Sequence, residues 1–131
     1  MEKINIIKSN NNWSPVEGET SNQLLNRLDI EQEEREILRK ETIKILSSCG
    51  DPENRKESIT GLVFGHVQSG KTMSFTNLIA LAIDNGYKII IVISGTTTEL
   101  SKQTYDRLRD DLNIDNNPNL QIESNPENGN T

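Results

Sequence analysis

A chain of 131 residues normally supplies one domain. Hydrophobic residues are 32% of it and its mean hydropathy is -0.64, a polar balance for a compact core. A formal net charge of -6 and a pI near 4.8 exclude binding to nucleic acid by bulk electrostatics, so any contact with DNA has to be local. Cys49 is the single cysteine, which rules out an intrachain disulfide and suits a reducing compartment. One Cys and one His, His66, do not make a zinc site.

The opening "MEKINIIKSN" carries no apolar stretch of signal-peptide length. The longest apolar runs, in "LIALAI" and "IIIVI", span about six residues, against the roughly 20 of a membrane span. A cytoplasmic protein with no membrane partner is expected. Met1 to Thr20, with its "SNNNW" tract, reads as a loosely docked arm. Trp13 reads as an aromatic packed on its own domain in preference to a base-stacking residue. Thr20 or Ser21 would cap a helix through Arg27, with Leu24, Leu25 and Leu28 on one side. Asp29 looks like a second cap. From Ile30 to Ser48, Ile30, Ile37, Leu38, Ile45 and Leu46 recur at helical spacing. Glu31 with Arg35 and Glu36 with Lys40 form i,i+4 pairs on a solvated face without functional role, and Gly50 is a natural stop.

After the loop "GDPENRKES", Ile59 to Phe64 predicts a short strand and Lys71 to Asn85 a helix. Lys88 to Ser94, "KIIIVIS", lacks the alternation of a half-wet strand, so it predicts a strand buried on both faces. Thr98 to Leu112 predicts an amphipathic helix, with Leu100, Gln103 or Thr104, Arg107 or Leu108, and Leu112 at its spacing. The Asn- and Pro-rich tail holds one weak candidate strand, Leu120 to Ile122. Strand, helix, strand, helix implies an α/β fold. The expected architecture is part of a P-loop NTPase (RecA-like) domain with parallel strands, behind a helical N-terminal segment. Residues 1–55 would be the arm and helices, 56–113 the first part of the NTPase domain, and 114–131 a polar tail continuing it.

"GHVQSGKT", Gly65 to Thr72, is the stretch that carries chemistry. A triphosphate is a dense anion that must be approached closely by backbone. Gly65 permits the turn and Gly70 the approach. The amides of Val67, Gln68, Ser69, Gly70, Lys71 and Thr72 would converge on the β-phosphate, helped by the positive end of the following helix. Lys71 would reach the β- and γ-oxygens as the catalytic charge, and Thr72 would place its hydroxyl on Mg2+. ATP and Mg2+ are the expected cofactors. His66 reads either as a contact to nucleotide or neighbour, or as a tolerated residue in the variable part of the loop. The bland reading of the whole stretch is a Gly-rich turn with an exposed lysine.

The stretch "IVISGTTTELSKQTYDRL", Ile91 to Leu108, is similar to a motif of superfamily-2 helicase-like ATPases that has the form Pro-Thr-x-x-Leu-x-x-Gln and touches the nucleic-acid backbone. Thr97, Leu100 and Gln103 match it, and Thr96 stands where the proline is usual. Hydroxyls and amides at a helix start can hold a phosphate without net charge, which makes Thr97, Thr98 and Gln103 the candidate nucleic-acid contacts. Together with "GHVQSGKT", this resembles the endonuclease family named for its Z-one domain, over Gly61 to Leu108. The resemblance implies an ATP-fuelled, translocase-like protein of bacterial restriction or anti-phage systems, acting on DNA, with nuclease action carried elsewhere.

A hydrolysing motor also needs an acidic motif after a later strand and an arginine finger. Asp115, Glu123 and Glu127 stand in the polar tail, none behind an apolar strand. The expectation is therefore the N-terminal part of a longer helicase-like ATPase, lacking the residues for hydrolysis and able to lean on partner subunits or a second copy. Two alternatives stand beside it: another P-loop phosphotransferase, or a regulatory fragment that binds nucleotide without catalysis. "Asn-Lys-x-Asp", the guanine-reading string of a GTPase, does not occur.

Overall fold

The computed structural model describes residues 13–54, 56, 58–63, 71–94 and 97–124, with side chains from residue 75 onward in the helix that starts at Lys71. Over these residues the chain forms α1 (Glu19–Arg27), α2 (Gln32–Ser47), α3 (Lys71–Asp84), α4 (Thr98–Asp111) and a 3-10 turn, Ile114–Asn116. It divides into two compact units, Met1–Ile89 and Ile90–Thr131.

In the first unit α1 and α2 both pack on α3. Each presents a helical stripe. Ser21, Leu24 and Leu25 of α1 are buried, and so are Leu38, Thr42, Ile45 and Leu46 of α2. Thr76, Asn77, Ala80, Leu81 and Ala82 are the buried positions of α3. Spacings of three, four, seven and eight place each set on one face. Trp13 packs on the Leu46, Leu81 and Ala82 cluster, and its indole donates to the Cys49 carbonyl at 2.8 Å. The Tyr87 hydroxyl donates to the Gly50 carbonyl.

The start of α1 is unusual. Its N-cap is Gly18, which has no side chain to offer the first-turn amides. Asp84, the last residue of α3, supplies the acceptor instead. Its Oδ2 accepts from Gly18 N at 3.0 Å and from Ser21 N at 2.9 Å, and its Oδ1 accepts from Thr20 N at 3.0 Å. The next residue continues the attachment: Asn85 Oδ1 accepts from Val16 N at 2.8 Å, and its Nδ2 donates to Val16 O at 2.9 Å. The other end of α1 is held from α2. Arg35 donates to the carbonyls of Leu25 at 2.9 Å, Leu28 at 3.0 Å and Ile30 at 3.3 Å. This corrects the caps expected at Thr20 or Ser21 and at Asp29, and the reading of Arg35 as a wet-face partner of Glu31. The N-cap of α2 is Glu31. Arg39 bonds Glu36 at 2.6 Å and Glu17 at 2.8 Å.

The second unit contains α4 and the 3-10 turn, with Leu108 and Leu112 buried. Asn113 makes the reversal between them in the left-handed region, at φ 51°. Arg109 clamps Asp115 through Nε at 2.9 Å and a terminal nitrogen at 2.7 Å. That contact raises the Arg109 pKa above its ordinary value, first through the hydrogen bond and then through the carboxylate's charge.

The expected α/β fold is overturned. Among the described residues there is no strand and no sheet, so the parallel RecA-like arrangement is absent from them. Residues 58–63, 88–94 and 120–122 lie outside any helix or strand; Phe64 lies outside the described residues. Lys88 to Ser94 is also not buried: Ile89, Ile91 and Ile93 are 82%, 81% and 92% exposed, against 37% for Ile90 and 40% for Val92. The physical reason is that a helix closes its hydrogen bonds within itself, whereas a buried strand needs a ladder on its edges and layers on its faces. Apolar sequence alone supplies neither.

Two stability measurements follow from this packing. A Cβ on Gly18 would stand 2.7 Å from Asp84 Cγ, so Gly18→Ala is expected to lower unfolding free energy by about 1–3 kcal/mol in urea titration. Partial burial pushes the Glu41 carboxyl above its usual range, with Lys44 pulling the other way. The folded state therefore favours the protonated form, and stability is fullest below the unfolded pKa and falls as pH rises through the folded one. Glu41→Gln is expected to raise the melting temperature at pH 7 and leave it unchanged at pH 3.

Candidate nucleotide-binding site

The helix that carries the end of the phosphate-loop pattern is described from Lys71 onward. The first turn of a helix has orphan amides and the positive end of the dipole, which favour an anion. Gly65, His66, Val67, Gln68, Ser69 and Gly70 lie outside the described residues, as do the side chains of Lys71 and Thr72. The predicted helix, Lys71 to Asn85, and the observed one, Lys71–Asp84, agree to one residue at the C-terminal end. The strand expected before the loop is not formed over residues 59–63, so what the structure supplies is the helix from Lys71 onward.

The candidate nucleic-acid contacts sit on α4. Thr97 is its N-cap, and Thr97 Oγ1 accepts from Leu100 N at 3.3 Å. Thr98 is its first residue and Gln103 an exposed position farther along. Five residues of helix separate Thr98 from Gln103 by about 7 Å along the axis and about 140° around it. The three side chains therefore do not converge on one point. Glu99 adds a negative charge to the first turn, which opposes a phosphate there. The chemistry on view at Thr97 is capping.

The opposite end of α3, about 20 Å from Lys71 by helix rise, has the more complete hydrogen-bond geometry. Gly86 N donates to Ile83 O at 3.1 Å and Tyr87 N to Ala82 O at 3.1 Å. With Gly86 at φ 92°, this is the paired closure that ends a helix on a left-handed glycine. Asp84 and Asn85 then hold the segment from Val16 to Ser21, as described above. The sequence signal for the stop was the Asn-Gly pair; no local signal revealed that Asp84 caps a helix 63 residues or more away.

Among the described residues no group of three or more His, Cys, Asp or Glu side chains could hold a metal ion. Burial pushes the Cys49 thiol up, and its Sγ lies 3.5 Å from the Ile45 carbonyl, the surroundings of a packed thiol rather than a nucleophile. No helix among the described residues is long and apolar enough to cross a membrane. No family model, no curated protein and no solved structure matches the chain.

Capping and phosphate contact at Thr97 separate by substitution. Thr97→Ala is expected to lower stability of the helix start by about 1 kcal/mol, read as lost helicity by circular dichroism. Thr97→Asn should restore the cap. Loss of DNA affinity in both variants would mark Thr97 as a phosphate contact; loss in the first alone would mark it as a cap.

Proposed function

We infer that Gly65 to Thr72 holds the phosphates of Mg-ATP, and that the chain is the nucleotide-binding part of an ATP-dependent DNA-processing protein of helicase or translocase type. The observation that supports the reading is helix α3, described from Lys71 onward. A helix at that place in the chain is what "GHVQSGKT" requires at its loop-to-helix junction, where first-turn amides, the Lys71 ammonium and the Thr72 hydroxyl would meet the phosphates. The reading rests on this loop-to-helix junction and not on a sheet. DNA enters through the resemblance of "TTTELSKQ" to the helicase motif, with Thr97, Thr98 and Gln103 as its contacts.

Titration of the chain with a fluorescent ATP analogue in Mg2+ tests the core of this. Lys71→Ala is expected to weaken binding tenfold to a hundredfold, the loss of about 1.5–3 kcal/mol for a charge-assisted phosphate contact. Unchanged affinity would refute the role given to Lys71. Measured on the full-length protein, hydrolysis stimulated by DNA would support the motor, while tight binding without turnover there would favour the regulatory alternative.

A further inference from the structure

Asn85 is followed by Gly86, the pair whose chemistry most readily converts an asparagine without any enzyme. Glycine has no side chain to hinder its amide nitrogen. That nitrogen can attack the preceding Asn Cγ. The Cγ–Nδ2 bond then breaks, the displaced nitrogen leaves as ammonia carrying the amide proton, and a five-membered imide forms. Water opens either imide carbonyl, leaving an aspartyl or an iso-aspartyl residue. No oxidant, reductant or co-reactant beyond water is needed.

The nucleophile, the leaving nitrogen and the amide oxygen of this reaction are all hydrogen-bonded in the folded chain. The nucleophile, Gly86 N, is bonded to Ile83 O at 3.1 Å. The leaving nitrogen, Asn85 Nδ2, donates to Val16 O at 2.9 Å and Leu81 O at 2.7 Å. The carbonyl oxygen, Asn85 Oδ1, accepts from Val16 N at 2.8 Å. Attack requires the Asn85 amide and the Gly86 turn to leave these partners together.

We propose that Asn85–Gly86 is a conformationally gated deamidation site, closed while the segment around Val16 is docked on the end of α3, and that its conversion undocks that segment. The product explains the second half. A carboxylate in place of the amide has no hydrogens for Val16 O and Leu81 O, so it sets oxygen against oxygen beside the Asp84 carboxylate. The iso-aspartyl product also lengthens the backbone at the left-handed turn.

A synthetic peptide that carries the same Asn85–Gly86 pair with its sequence neighbours serves as the reference. Peptide mapping by mass spectrometry, after incubation at 37 °C and mildly alkaline pH, reads the site in chain and peptide alike. In the native chain Asn85 is expected to convert at least tenfold more slowly than in the urea-unfolded chain, a gating of about 1.4 kcal/mol or more. The peptide gives the intrinsic rate in each solvent. In Gly18→Ala, which crowds Asp84, the Asn85 rate should rise toward the unfolded value. Equal native and unfolded rates at Asn85 would overturn the gating, and so would no conversion in urea. Asn85→Asp reads the consequence separately: proteolytic cleavage between residues 13 and 21 should become faster than in the unmodified chain. Unchanged cleavage would overturn the undocking.

Discussion

The first unit depends on one carboxylate. A helix of nine residues is too short to persist alone in water, and α1 begins on a glycine that cannot cap it. Asp84 stands where the missing N-cap side chain would be, which is why a Cβ on Gly18 has no room. The exchange puts the capping group on a different helix. The acceptor that orders α1 also fixes α1 to α3, so local order and tertiary docking become one event. The signs agree with the peptide dipoles: α1 has an anion from α3 at its positive end and the Arg35 cation from α2 at its negative end. Neither of its ends is satisfied by α1 alone.

Packing between α2 and α3 adds a second polar constraint. Thr42 donates to Leu38 O at 2.7 Å and accepts from Asn77 Nδ2 at 3.0 Å, with both side chains buried. Asn77 Oδ1 is buried without a protein partner. A half-satisfied buried amide costs about 1–3 kcal/mol. The leucines and Ile45 buried around the pair offset that cost. What the pair supplies is alignment, since sliding α2 by one turn would strand the remaining amide hydrogen bond as well. The unit is therefore held by its apolar stripes together with directed contacts at helix ends and one inside the core.

This explains which features the sequence made legible. Helix α4 and the end of α3 were readable almost to the residue, because amphipathic spacing and the Asn-Gly stop are local; Thr97, read as a nucleic-acid contact, is the N-cap of α4. The burial of Leu24, Leu25, Leu38, Ile45 and Leu46 was readable for the same reason. The strands were not. "KIIIVIS" has the composition of a buried strand, yet composition states only what a segment would tolerate, and its exposure is decided by whether other segments cover it. The Asp84 cap was hidden because its partners lie more than sixty residues away in sequence. Arg35 was misread because an i−4 glutamate made a sufficient local story, while the carbonyls it bonds became neighbours only when the chain turned between α1 and α2. Of the phosphate-loop pattern, only Lys71 and Thr72 fall among the described residues, as backbone of α3.

On the proposed function, helix α3 would serve two purposes at opposite ends, and their separation decides how each can be probed. Lys71 stands about 20 Å from the cluster at Asp84, beyond the range at which substitutions usually couple. A change at Lys71 alters charge at the first turn and leaves the docking contacts at the last turn intact. Lost nucleotide affinity there therefore reports on phosphate contact. A change at Gly18 or Asn85 acts on α1 and on the end of α3, so its first effect is on stability. If such a change also weakened nucleotide binding, the effect would have to travel along the helix as lost order in its first turn. It would then shrink at low temperature or in stabilising osmolytes, where a missing lysine would not.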